Sequence, residues 1–517
     1  MAPNSTTKPS PVPSGTVVSS KDLLWVLVFV QRQCEFNLNH FQAAMLNLIF
    51  QPNINSSSIM RADILYDSEN IEKYRTDSVD LEESKEYLSQ ESVICEGLID
   101  GRILPSAAPS RRILRVLVPR NPNKDDSMIQ SCLLFQSEGS SSILYAPHLK
   151  DESSTPYYHP AVSGICLHYI KDRDSKALGE LRLYYRHFPS SDSKIQTSSI
   201  SNRLERTALR LITTAYRHST GTMNGYEKRV HHDVVVDKVA FQNRYIELKN
   251  KHARFLVDNW VESTDPKKHV FEDLSIAAFL IELWLARLGR DVRTMTFADL
   301  GCGNGLLVYI LIAEGYRGYG IEARRRKTWD IFPQSVQDCL FEQVLVPSLC
   351  FDDEQAKGDH ISEKSSRFHD GQFPPGTFLI GNHSDELTPW IPLLGHPFIV
   401  IPCCSHSFAG AKYRYPTSVS SDKFLDKATG QQKLSTYGAL VEYVARISSE
   451  VGWKVEREML RIPSTRNASI IGFDKLETGG FSGKQRFSPK EILKRDGGAA
   501  GFVENVSALM SKNPRSH

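Results

Sequence analysis

The stretch Phe297-Ala298-Asp299-Leu300-Gly301-Cys302-Gly303-Asn304-Gly305 decides the fold. Its apolar start predicts a strand from Phe297 to Leu300, its glycines a tight turn, and the residues from Gly305 to Glu314 a helix. Gly318 to Ile321 returns as strand, which completes a βαβ unit. Glycine leaves room for a ligand against the backbone, so the turn is expected to bind something and not merely to bend. A GxGxxG turn presents a helix start to a pyrophosphate, whereas the tighter GxGxG after an acidic residue suits a cofactor without phosphates. Asp299 is placed to organise the cationic amino-acid end of S-adenosylmethionine, with Gly301, Gly303 and Gly305 along its length. Glu322 lies 23 residues beyond Asp299, at the end of the second strand, and is expected to accept the ribose hydroxyls. A glycine trio alone can be a structural turn; strand, helix and second acidic residue together make cofactor binding the better account.

Outward from this unit the alternation continues. Phe271 to Leu288 has the apolar spacing of a helix packed on a core. Trp329 to Leu340 predicts a helix, and Ser/Asp/Lys-rich residues 351–373 an insertion. Thr377 to Ile380 and Pro397 to Ile401 predict strands, Asp385 to Leu394 and Lys433 to Val451 helices, and Lys454 to Leu460 with Ala468 to Phe473 a closing strand pair. The expected fold is α/β: a Rossmann-like, doubly wound, mostly parallel sheet with an antiparallel edge over 291–475. An N-terminal mixed, β-rich module is expected over 21–200, with strands such as Ile113 to Val118 and Leu181 to Tyr185. Residues 201–290 read as a helical connector, 1–20 as a disordered tail and 476–517 as a C-terminal tail. The apolar run Leu23 to Val30 is expected to be a buried helix, being far shorter than the ~20 residues that cross a bilayer.

With 517 residues the chain needs more than one core, and 40% hydrophobic with 24% charged residues exclude disordered and fibrous classes. A net charge of +2 means that any phosphate-binding surface is a local patch. The nine cysteines form no CxxC pair and no metal-ligand spacing, so they read as reduced thiols and no metal is expected. Cys403-Cys404 follows an apolar run, where packing is favoured over redox or metal chemistry. The first twenty residues lack the apolar core of a secretory signal, which predicts a cytoplasmic protein with no membrane partner.

Several stretches resemble the eukaryotic tRNA (uracil-2′-O-)-methyltransferase family. They are 297–305 (FADLGCGNG), 318–330 (GYGIEARRRKTWD), 379–392 (LIGNHSDELTPWIP), 401–404 (IPCC) and 460–467 (LRIPSTRN). Upstream, 228–234 (KRVHHDV) and 270–278 (VFEDLSIAA) are also similar, so the resemblance spans roughly 225–475. It implies a class I methyltransferase that uses S-adenosylmethionine to methylate the ribose of uridine 44 in serine tRNA. Methylation at another RNA position or base is the alternative, and a non-catalytic RNA-binding partner is disfavoured by the intact Asp299, glycine trio and Glu322.

A ribose hydroxyl is a poor acid, so in-line attack on a sulfonium methyl requires alignment and help with the proton. The loop after the strand at 377–380 lies where such folds present substrate-facing residues. It holds Asn382 as a cofactor contact, and His383 and Asp385 as catalytic candidates, although Asp385 could equally cap a helix. Lys412, in a segment where the family has Gly-Lys-Tyr, is the third candidate. Arg324, Arg325, Arg326 and Lys327 beside Glu322, and Arg461 and Arg466 around Pro463, are expected to hold tRNA phosphates.

Overall fold

The computed structural model describes residues 8–12, 17–20, 23–70, 98, 108–171, 178–188, 201–226, 232–351, 367–417, 434–476 and 486–511. Two compact units divide at Glu227/Lys228. The expected connector 201–290 is therefore split: its first helix completes the N-terminal unit, and the other two belong to the C-terminal one.

The N-terminal unit is an antiparallel sheet. Its strands are β1 (Ser10–Pro11), β2 (Val17–Ser20), β3 (Leu23–Cys34), β4 (Ile59–Asp67), β5 (Arg111–Pro119), β6 (Met128–Ser137), β7 (Ser140–Pro147), β8 (Gly164–Lys171) and β9 (Gly179–Arg186). They run in the order β1-β3-β9-β8-β7-β6-β5-β4, with β2 also on β3. Helices α1 (Leu38–Phe50) and α2 (Asn202–Met223) bury Phe41, Met45, Leu48, Ala208, Ile212 and Ala215 against one face, with Ile113, Leu134 and Leu183. The run Leu23 to Val30 is thus strand, not helix. Eight consecutive apolar residues have no period that separates the two, and here β2 and β9 claim the backbone hydrogen bonds. The expected disordered tail contributes β1 and β2 to the same sheet.

The C-terminal unit is built on a seven-stranded sheet: β10 (Thr296–Leu300), β11 (Arg317–Glu322), β12 (Leu340–Glu342), β15 (Thr377–Asn382), β16 (Phe398–Ile401), β17 (Trp453–Met459) and β18 (Ala468–Lys475). A separate short pair, β13 (Val344–Leu345) and β14 (Phe368–His369), lies beside it in sequence. The order is β12-β11-β10-β15-β16-β18-β17, parallel through β16 and antiparallel at β18 and β17. Alternate residues of each central strand enter opposite cores, as a two-residue side-chain period requires. Phe297, Phe378, Ile380, Ile399 and Ile401 pack with helices α3 (Lys238–Asp258), α4 (Pro266–Leu288) and α5 (Leu306–Ala313). Ala298, Leu300, Leu379, Phe398 and Val400 pack with α7 (Thr436–Glu450) on the other side. Between them in sequence lies the single turn α6 (Gln334–Gln337).

Three expectations change. The helix at Trp329 to Leu340 is a 3-10 turn at Lys327–Ile331, α6 and strand β12, because Pro333 bars a continuous helix. Asp385 to Leu394 forms two 3-10 turns, Asp385–Leu387 and Ile391–Leu394, with Pro389 and Pro392 as the interruptions. The C-terminal tail carries α8 (Pro489–Arg495) and α9 (Phe502–Ser511), whose Ile492, Phe502 and Val506 are buried with Trp390 and Phe408. Most of the expected insertion, residues 352–366, lies outside the described residues. Among the described residues, no helix is long and apolar enough to cross a membrane.

Candidate functional site

The carboxyl ends of β10, β11, β15 and β16 open on one cavity of about 510 Å³. Gly301, Gly303 and Gly305 follow β10 with φ of 79°, 54° and 75°, the left-handed region. The turn is fixed at both polar groups of Gly303. Its N–H donates to Glu322 Oε2 at 3.1 Å, and its carbonyl accepts from Trp329 Nε1 at 3.0 Å. A Cβ on Gly303 would meet no protein atom within 4 Å, so the open space beside it belongs to the cavity. Asp299, at the end of β10, is 1% exposed and leaves Oδ1 without a partner; so does Asn382 at the end of β15. Two orphaned, buried acceptors beside a glycine cradle fit a ligand that brings N–H donors and positive charge, as the amino-acid end of S-adenosylmethionine does.

Acidic groups crowd this end of the cavity. Asp273, on α4, accepts from Asn382 Nδ2 at 3.1 Å. Burial and the neighbouring Glu272 push its carboxyl up to about 8. Burial, with Asp273 and Glu322 close by, holds Asp299 well above the usual carboxylate range. Glu322 is raised by burial, against the pull of Arg326 and the Gly303 N–H. Asp273 thus holds its proton in the free protein near neutrality, and a cationic ligand drives that proton off. Binding of S-adenosylmethionine is expected to release protons. Its affinity should fall between about pH 8 and pH 6, by up to about tenfold per pH unit for each proton released. Calorimetry in two buffers of unlike ionisation heat measures the release, and Asp273→Asn should reduce it. Equal affinity at both pH values would reject the linkage.

The loop after β15 is strained. His383 and Asp385 have φ of 53° and 41°, which side-chain-bearing residues rarely adopt, and such strain gathers at functional sites. His383 N–H donates to the Ile401 carbonyl, and its Nε2 lies 3.1 Å from Glu272 Oε1. Asp385 does not cap a helix: Ser384 holds the N-cap position without a side-chain hydrogen bond, and Asp385 Oδ1 accepts from Cys403 Sγ at 2.9 Å.

Of the residues singled out in the sequence, Asp299, Gly301, Gly303, Glu322, Arg324, Arg326, Asn382, His383, Asp385 and Arg466 line the cavity. Gly305 caps α5 just behind it. Lys412 does not line it; it is exposed, in a hairpin where it bridges His406. Arg325 turns away to Asp330 at 2.6 Å and lies over Trp329, while Lys327 heads a 3-10 turn. Arg461 is held by both oxygens of Asp233, at 2.8 and 2.5 Å, a tie between the turn after β17 and the segment before α3. Arg466 donates to the Cys403 carbonyl and lies over Tyr437. Lys228, Arg229 and His231 lie outside the described residues.

Sequence reasoning gave no role to Glu272, Asp273 or the cysteine pair. An acidic pair at buried positions of an apolar helix was the available signal, since carboxylates are seldom buried without a task. For Cys403 and Cys404 no signal in the sequence exceeded that of packing, yet both line the cavity.

Two family profiles match the chain: "TRM44-like, N-terminal bet v1-like domain" over 5–229 and "Predicted AdoMet-dependent methyltransferase" over 235–347. The chain is 41% identical to the tRNA (uracil-O(2)-)-methyltransferase of Saccharomyces cerevisiae, covering 97% of this chain and 96% of that protein. It is 43% identical to the protein of that name from Kluyveromyces lactis, over 93% and 94%. The Neurospora crassa relative of the same name is 42% identical over 93% and 92%. An S-adenosylmethionine-dependent methyltransferase domain follows a Bet v 1-like one, and the whole chain belongs to the tRNA (uracil-O(2)-)-methyltransferase family.

Proposed function

We propose that this protein methylates the 2′-hydroxyl of a uridine in tRNA, uridine 44 of serine tRNA, from a Rossmann-like class I methyltransferase domain. The observation that carries the reading is one cavity shared by the glycine turn and the strained loop 382–385. The parallel order through β16 with an antiparallel edge supports the domain class. S-adenosylmethionine supplies an electrophilic methyl group on a sulfonium. Asp299, Asn382 and Glu322 bind and orient it along the glycine turn. His383, oriented by Glu272, is the group that receives the hydroxyl proton, since a bond from Nε2 to the carboxylate leaves Nδ1 as acceptor. Asp385 orients the reacting hydroxyl. Lys412, off the cavity, is assigned no step. We place the activity in the cytoplasm, which the free state of the described cysteines supports. Nucleoside mass spectrometry of serine tRNA incubated with the protein and cofactor tests the assignment. A 2′-O-methyluridine at position 44 is expected, and methylation elsewhere would replace it.

The tRNA backbone is read next to this cavity. Arg324 and Arg326 line it, whereas Arg325 and Lys327 do not, Arg325 being paired with Asp330. Replacing all four by Ala should lower tRNA affinity and flatten its salt dependence by roughly two charges, about the log-log slope of two phosphate contacts. The Arg324→Ala, Arg326→Ala pair should reproduce that loss. An unchanged slope would return the cluster to the role of a solvated turn.

A further inference from the structure

We propose that Asp385, Cys403 and Cys404 form a site for a thiophilic divalent cation, of the zinc type, in the wall of the methyl-transfer cavity. Parallel pairing of β15 with β16, with Asn382 opposite Ile401, ends both strands side by side. The residues that follow each strand therefore meet: Asp385 from one, and the adjacent cysteines from the other. One ligand atom from each lies within 4.8 Å of the other two, and Cys403 Sγ already stands 2.9 Å from Asp385 Oδ1. A tetrahedral zinc with sulfur at about 2.3 Å and oxygen at about 2.0–2.2 Å sets its ligands roughly 3.5–3.8 Å apart, so small side-chain rotations complete the set. Two sulfurs and one carboxylate are a donor set for zinc and not for magnesium or calcium.

Two further observations favour an occupant. All three residues are partly exposed and line the cavity, so the site is reachable and its fourth position faces the place of reaction. Three protein ligands with one open position is the pattern of a catalytic zinc site, not a structural one. Second, Asp385 is held at a φ of 41°, and the contact its carboxylate makes from there is with a thiol, a weak donor. A divalent cation displaces the thiol protons to solvent and replaces that poor contact by three ligand bonds.

The role, though not the site, rests on the proposed ribose methylation. An alcohol oxygen in the open position becomes a stronger acid, as metal-bound water does. Its proton passes to His383, its oxygen takes the methyl group, and the sulfonium leaves as the neutral thioether.

The test uses the full chain, purified under reducing conditions without chelator. Elemental analysis should find about one zinc per chain, and Co²⁺ added to the stripped protein should give near-ultraviolet thiolate charge-transfer bands with strong tetrahedral visible bands. Cys403→Ser with Cys404→Ser should remove both signals while leaving S-adenosylmethionine affinity intact, and Asp385→Asn should weaken Co²⁺ binding without removing the thiolate bands. If the double variant fails to fold, the Co²⁺ titration of the parent protein decides alone. No zinc together with no thiolate bands overturns the site, and so does recovery of the two cysteines as a vicinal disulfide under the same reducing conditions. Because Co²⁺ binding is read without tRNA, failure of the metal site and failure of the ribose-methylation reading give separate results.

Discussion

Gly303→Val is expected to abolish S-adenosylmethionine binding in a chain that still folds. The valine side chain would enter the open space beside Gly303, on the side of the cavity that the proposed cofactor would fill. Its branched Cβ is also forced to a φ near 54°, and a residue with a side chain loses roughly 1–2 kcal/mol there. That loss is a fraction of a typical domain stability of about 5–15 kcal/mol, so the fold survives. Both Gly303 hydrogen bonds, to Glu322 and from Trp329, are made by its backbone, and both resist rearrangement of the turn. Gly303→Ala separates the two effects: it carries most of the backbone strain but fills much less of the cavity. Calorimetry should show affinity falling by more than about 100-fold for Val, the loss of about 2.8 kcal/mol, and by far less for Ala. Unchanged affinity in folded Gly303→Val would overturn the site.

What was legible in the sequence follows from how local each signal is. The βαβ unit announced itself because strand, turn and helix lie within 26 residues, Phe297 to Glu322, and each is dictated by neighbours in the chain. The boundaries of β10, β11, β15, β16, β17 and β18 agree with expectation to within about two residues for the same reason. Asp273 was not legible as a cofactor-site residue. It stands 26 positions before Asp299, and only the packing of α4 on the sheet brings them together. Likewise Asp385 meets Cys403 through a strand register that no local pattern encodes. Nor does any local pattern encode the partner of Arg461, Asp233, which lies 228 positions away. In the N-terminal unit, the run Leu23 to Val30 misled because its strand state depends on β9, more than 150 residues downstream.

Asp385→Asn is expected to lower turnover by about 10²-fold or more, the scale on which loss of the group that orients a reacting hydroxyl slows attack. The substitution is informative because it changes so little else. Asn is among the side-chain-bearing residues that best tolerate positive φ, so the backbone at 41° is kept. Its shape is nearly that of Asp, and no helix cap is lost, since the Asp385 side chain bonds to Cys403 and not to the turn that follows. What disappears is a carboxyl group that lines the cavity. Cofactor binding should survive, because Asp299, Asn382 and Glu322 at the glycine turn are untouched. Single-turnover methylation with saturating tRNA and cofactor isolates the chemical step from binding and product release. Whether Asp385 acts on the hydroxyl directly or through a bound cation, the same step slows. Added Zn²⁺ at high concentration should restore rate only in the second case, since the two thiols still offer a weakened site. A rate within a few-fold of the parent would remove Asp385 from the mechanism, and the His383 and Glu272 pair would then carry the proton transfer alone.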